Sequence, residues 1–155
     1  MTAGAERRTS SRAVNESRHR GRAAALQMLY QWEIGRLPMG EVQQSFWDHT
    51  HGSDVAVSAE VQTFAARLAD GVAAGVEQLD PVIIEAAEHW RLERMNVLDR
   101  LILRVAVYEL LHEPATPAKV VINEALELAH TFCGEESVRF INGVLDAIRR
   151  KLERA

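Results

Sequence analysis

The chain has 155 residues, with 18 basic and 22 acidic side chains, 47% hydrophobic residues and a net charge of −4. A chain of this size removes roughly 68–70% of its unfolded surface from water, enough for one core that needs neither a disulfide nor a structural metal. The lone Cys133 excludes an internal disulfide, no apolar run approaches the ~18 residues of a membrane span, and residues 1–22 lack the apolar stretch of a signal peptide, so the expected home is a reducing cytoplasm.

Residues 1–16, rich in Thr, Ser, Ala, Gly and Arg without apolar periodicity, are expected to form a disordered basic arm in front of a domain spanning 17–155. Ala25, Met28, Leu29 and Trp32 then follow the i, i+3, i+4, i+7 spacing of a helix face, which Gly35 and Pro38 end. A short helix is expected over Glu41–His49, then a loop at His51-Gly52-Ser53-Asp54. Ser58 can cap a third helix whose buried stripe is Val61, Phe64, Ala65, Leu68, Val72 and Val76. Asp80-Pro81 has the form of an N-cap followed by proline at the first helical position, and predicts a separate helix to about Trp90.

Asn96 with Asp99 resembles a capping box ahead of Leu98–Leu111, which is apolar on almost every side and is expected at the centre of the core. His112-Glu113-Pro114 breaks it, and Thr116-Pro117 repeats the cap-and-proline start for a helix carrying Val121, Ala125, Leu128 and Phe132. Gly134 fits a left-handed C-cap. The last helix, from Glu135-Glu136-Ser137, is expected to bury Val138, Ile141, Leu145, Ile148 and Leu152, with acid at its start and base at its end as the macrodipole favours. Seven helical segments and no strand predict an all-α, single-domain bundle.

A search for catalytic chemistry finds little. His49 and His51 are two apart, whereas a zinc site on a helix uses i, i+3 or i+4 spacing and at least three protein ligands. His130 could lower the pKa of Cys133, but a thiol beside Phe132 reads better as a small buried side chain. No glycine pattern forms a dinucleotide or phosphate loop, so neither an enzyme nor a bound cofactor or metal is expected. The charge distribution is more telling. Residues 1–22 hold Arg7, Arg8, Arg12, Arg18, Arg20 and Arg22 against Glu6 and Glu16, a local +4, which leaves −8 for residues 23–155. A basic segment leading into a helix offers guanidinium groups to phosphates, whereas an acidic body repels them elsewhere.

Four segments carry a resemblance. Ala25-Leu26-Gln27-Met28-Leu29-Tyr30-Gln31-Trp32, Asp99-Arg100-Leu101-Ile102-Leu103-Arg104-Val105-Ala106-Val107-Tyr108-Glu109-Leu110, Val121-Ile122-Asn123-Glu124-Ala125-Leu126-Glu127-Leu128-Ala129 and Phe140-Ile141-Asn142-Gly143-Val144-Leu145-Asp146 occur in this order. Together they resemble the first, central, penultimate and last helices of the NusB family of bacterial transcription antitermination factors, over about residues 17–150. The resemblance implies a non-enzymatic helical protein that binds boxA RNA of ribosomal transcripts with NusE, a small-subunit ribosomal protein, in a complex on RNA polymerase.

Carried over by position, the implied RNA surface comprises Arg18, His19, Arg20 and Arg22, then Lys119, Phe132, Glu136, Arg139 and Phe140. An aromatic ring beside an acidic acceptor suits splayed single-stranded bases. His19 stands where the family commonly has arginine, His130 where lysine is frequent, and Glu136 where aspartate is usual. Asn123, Glu124, Asn142 and Gly143 are expected to serve the fold, with Gly143 allowing close helix approach, and Asp99, Arg100 and Arg104 are expected on an exposed NusE surface. Two rival readings remain. One is a helical RNA-targeting domain like that fused to ribosomal RNA methyltransferases, although the sequence has no glycine-rich cofactor-binding turn; the other is an interaction module with a homodimeric storage state, suggested by Met28, Leu37, Met39, Phe46 and Trp47.

Overall fold

The computed structural model describes residues 2–50, 57–88 and 91–154. Six α-helices follow one another: α1 (Thr2–Gly35), α2 (Met39–Thr50), α3 (Ala59–Ala87), α4 (Val97–His112), α5 (Ala118–Phe132) and α6 (Glu135–Arg154), with a 3₁₀ turn at Leu92–Arg94 before α4. The all-α expectation is met, with six helices rather than seven. Among the described residues, no helix is long and apolar enough to cross a membrane.

The missing helix boundary is at Pro81, which lies inside α3. An interior proline removes one backbone hydrogen bond and costs about 3 kcal/mol. Its flanking residues Leu79 and Ile83 are 1% and 0% exposed, and burial of such side chains offsets that cost at ~1.5–3 kcal/mol each. Asp80, expected as a cap, instead accepts two hydrogen bonds from Arg104, at 2.8 and 2.9 Å. Tertiary contacts thus carry the helix through a local stop signal. At the other end of the chain, α1 reaches back to Thr2, through the stretch expected as an arm without order. No proline interrupts that stretch, and Ala and Arg are strong helix formers.

Three helix-end details also differ. No glycine has positive φ among the described residues, so Gly134 is not a left-handed cap; its carbonyl accepts from Val138 N–H and opens α6. The left-handed position after α1 is Arg36, φ 54°, rather than Gly35. The N-cap of α5 is Pro117, whose carbonyl accepts from Val121 N–H, while the Thr116 hydroxyl accepts from Arg18. Ser58 and Asn96 do cap α3 and α4, accepting from Val61 N–H and Leu98 N–H.

Helix α4 forms the centre, buried continuously from Leu101 to Val107, with α1, α3, α5 and α6 packed around it. Leu26, Met28 and Leu29 of α1 meet Leu68, Leu79 and Ile83 of α3 and Ile141, Leu145 and Ile148 of α6 in the same core. Close approach of α3 to α4 needs Gly71, where an added Cβ would lie 2.3 Å from the Tyr108 ring. Gly143 has no such role, since nothing lies within 4 Å of its added Cβ, and Leu152 is exposed rather than buried. Met28, Met39 and Phe46 are buried and Trp47 packs against the core, leaving only Leu37 exposed among the residues that suggested a homodimer.

Candidate nucleic-acid interface

The middle of α1 lies against the α4–α5 turn and α5, where Arg18 and His19 meet Thr116 and Glu124. Arg18 donates through Nη1 to Thr116 Oγ1 at 3.1 Å, and its guanidinium sits 4.9 Å from the centre of the Phe64 ring. His19 Nδ1 lies 2.6 Å from Glu124 Oε2. Arg20, Lys119 and Arg139 are exposed and make no ion pair among the described residues. Between α1 and α5 lies a groove of about 510 Å³ with Asn15, Arg18, Thr116, Asn123 and Glu124 in its walls.

Arg22 stands apart from these. Its side chain is 3% exposed, and its Nε and Nη2 each donate at 2.8 Å to the two oxygens of Glu109, itself 1% exposed. Glu124 adds a longer contact at 3.8 Å. A bidentate guanidinium–carboxylate pair of this kind joins α1 to α4 inside the protein, with Arg22 at the inner wall of the groove between α1 and α5. Arg18, Arg22 and Arg67 all stand over the ring of Phe64, at 4.9, 5.4 and 5.1 Å. Arg67 was not legible as part of this cluster, because Phe64 reads only as one more residue of the apolar stripe of α3.

The three residues expected on an exposed partner surface are interior. Asp99 and Arg104 are 8% and 6% exposed. Arg104 holds Asp80, and Arg100 donates to Glu33 Oε1 at 2.8 Å and to the Leu92 carbonyl at 3.2 Å. They tie α4 to its neighbours, and the reason is the depth of α4: a charged residue on a helix surrounded on all sides must find a partner inside. Exposed large apolar residues are spread over several helices, at Val14, Ile84, Leu111, Val120 and Leu152, and three of them, Tyr30 (43%), Ile34 (55%) and Leu37 (46%), fall close together in sequence on and just after α1. Sequence periodicity carried a signal for them, since Tyr30 and Ile34 fall off the buried face set by Ala25, Met28 and Leu29.

The two aromatic residues of the α5–α6 region are half-buried, both pack on the core, and each also borders a cavity. Phe132 lines a shallow groove of about 320 Å³ with Leu26, Tyr30, Gln31 and Leu98. Phe140 lines a second cavity of about 240 Å³ with Glu136, Asp99, Asn96 and Arg94. Consecutive Leu98 and Asp99 at the start of α4 place the two side by side. Glu136 is exposed, and His130 lies 3.5 Å from Glu135.

Burial pushes the Cys133 thiol up to about 11, with the Asp99 carboxylate adding to the effect. Its thiolate therefore forms only as pH rises toward that value, and alkylation near pH 8 is expected about tenfold slower than for an unperturbed thiol, since the scarcer thiolate is also the stronger nucleophile. Following the rate with iodoacetamide checks this; the rate of a free cysteine would contradict the described burial. The histidine pair His49 and His51 falls outside the described side chains, and no group of three or more potential metal ligands occurs among the described residues.

Comparison with known proteins gives one consistent result. The pattern of the NusB family matches residues 19–150. A transcription antitermination protein NusB of Solibacter usitatus is 43% identical over 136 residues, covering 88% of this chain and 90% of its own length. That of Sorangium cellulosum is 41% identical over 138 residues, covering 89% and 95%. Among solved structures, T. maritima NusB is similar with a TM-score of 0.77 at 33% identity, covering 86% of this chain and 91% of that one. A complex of antitermination factors NusB and NusE with dsRNA contains a chain of the same fold, with a TM-score of 0.78 at 23% identity, covering 88% and 98%.

Proposed function

The chain belongs to the NusB family, and from that membership we propose that it is a transcription antitermination factor that binds boxA-type single-stranded RNA of ribosomal transcripts together with NusE. It acts in the cytoplasm by helping RNA polymerase stay processive, and it binds rather than catalyses. The observation that carries this reading is the family match over residues 19–150, supported by relatives named for antitermination that align over nine-tenths of their length.

Arg18, His19 and Arg20 on α1, Lys119 on α5 and Arg139 on α6 supply phosphate contacts, as the basic patch on an otherwise acidic body favours. Phe132, Glu136 and Phe140 supply the stacking and accepting groups for bases. Arg22 serves as the buried anchor that holds this part of α1 in place. The NusE surface includes Tyr30 and Ile34, one turn apart on α1, because exposed apolar side chains mark a protein interface better than buried ion pairs do.

Ile34→Glu is expected to weaken NusE binding by at least about tenfold while leaving the melting temperature nearly unchanged, since the side chain is more than half exposed. Isothermal titration with purified NusE, beside a melting curve, measures both. The function itself is tested by reconstituted transcription through a terminator downstream of boxA. Read-through that rises on adding this chain with NusE supports the reading; read-through that is indifferent to scrambling boxA contradicts it.

A further inference from the structure

Within the basic run of residues 18–22, His19 is the side chain whose charge changes between about pH 5 and pH 8, and the structure fixes how its ring is held. Its Nδ1 lies 2.6 Å from Oε2 of Glu124 on α5. A carboxylate only accepts hydrogen bonds, so the proton in this contact sits on Nδ1. The other ring nitrogen, Nε2, makes no hydrogen bond among the described residues, and the side chain is 47% exposed. A neutral imidazole carries a single N–H. With that hydrogen committed to Glu124, neutral His19 presents a lone pair at Nε2, which repels a phosphate oxygen. Only the doubly protonated ring donates to Glu124 and to a phosphate at once. An arginine, permanently charged and with donors to spare, meets no such restriction.

The surroundings of Glu124 act in the same direction. Its side chain is in the wall of the groove between α1 and α5, and its Oε2 lies 3.8 Å from Nη1 of Arg22, one turn along α1 from His19. Arg22 is itself held by Glu109 from α4. From α3, Arg67 stands over Phe64 beside Arg22 and pairs with Glu113. Glu16 and Arg20 on α1 and Lys119 on α5 are exposed. The arginines keep their charge at every relevant pH. Deprotonation of His19 therefore removes a cation from the groove and leaves the Glu124 carboxylate with the more distant Arg22.

We propose that RNA binding by this chain is coupled to uptake of one proton at His19, with Glu124 as the positioning residue that turns Nε2 toward the phosphate. The inference rests on the RNA-binding reading above and adds to it a regulation by pH. The proton comes from solvent and becomes the Nε2–H that donates to a phosphate oxygen. Affinity rises as pH falls from about 8 to about 6 and is lost in the other direction.

Fluorescence anisotropy with the full chain and a boxA-containing single-stranded RNA, at about pH 6 and pH 8 and constant ionic strength, tests the proposal. The wild type is compared with His19→Arg, and since His112 and His130 are present in both, the comparison isolates His19. The ratio of affinity at the lower pH to that at the higher is expected to be about tenfold larger for the wild type, as one charge-assisted hydrogen bond implies. His19→Arg matches the wild type at the lower pH and exceeds it at the higher, whereas His19→Gln matches it at the higher pH and loses the gain at the lower. Glu124→Gln keeps the size of the side chain, but its amide no longer requires a proton on Nδ1, and it is expected to bring the ratio to within about threefold of that for His19→Arg. A Glu124 that served only the fold would instead lower affinity equally at both pH values. Equal ratios in the wild type and His19→Arg overturn the proposal. So does a wild-type ratio retained by Glu124→Gln with native circular dichroism, or, should that variant fail to fold, one retained by His19→Gln. Absence of RNA binding by both the wild type and His19→Arg at either pH would overturn the RNA-binding reading itself, a distinct result.

Discussion

An Arg22→Met variant is expected to lose about 3–5 kcal/mol of folding stability, the cost of removing one partner from a buried ion pair. Arg22 and Glu109 are 3% and 1% exposed and joined by two hydrogen bonds of 2.8 Å, so the substitution strands a carboxylate inside the protein. For a domain of this length such a loss lowers the melting temperature by about 10 °C or more. Arg20→Met, at an exposed position two residues earlier, is expected to change stability by no more than about 0.5 kcal/mol. Replacing Arg22 and Glu109 together with apolar residues should recover much of the loss, because no charge is then stranded. Thermal denaturation of the variants separates the roles: a stable Arg22→Met protein with weakened RNA binding would make Arg22 a surface contact after all.

Exchanging Arg18 and Arg20 for alanine together has its largest effect on RNA. Each phosphate neutralised on a single strand contributes about −0.7 to the slope of log affinity against log salt. Losing both contacts should make the slope shallower by about 1.4 and cost about tenfold or more in affinity near 50 mM salt, alike for every RNA sequence. Arg18 also donates to Thr116 and stands over Phe64, so a stability loss of about 1 kcal/mol accompanies the change without unfolding the chain. Filter binding across a salt series measures the slope. An unchanged slope would remove these two side chains from the phosphate path, and a changed sequence preference would make them base contacts.

The sequence made some features legible because they are local. The apolar run of α4 predicted its central position, since a helix without a polar face has to be surrounded. Ser58 and Asn96 were readable as caps because the hydroxyl or amide bonds a backbone N–H within three residues. Arg22 was not readable as buried, because its partner Glu109 is 87 residues away and the basic run around it suggested one solvated face. Asp99 and Arg104 failed for the same reason: polar residues on a helix imply exposure only when the helix has a solvent side, and α4 has almost none. Pro81 was misread because the burial of Leu79 and Ile83 and the Asp80–Arg104 pair outweigh a local stop signal. Phe132 and Phe140, each readable as core or as contact, pack on the core and border a cavity.

These differences move the boundary between scaffold and site. Arg22, Arg100 and Arg104 hold α1, α3 and α4 together, which sets them apart from the exposed Arg20, Lys119 and Arg139.

Titration of a boxA-containing single-stranded RNA with the wild-type chain, with and without NusE, against a permuted RNA of the same composition, tests the central claim most directly. Affinity for boxA that exceeds the permuted RNA by at least about tenfold, rises further with NusE and falls steeply between about 50 and 200 mM salt is the result predicted. Equal affinity for the two RNAs, unaffected by NusE, would contradict it.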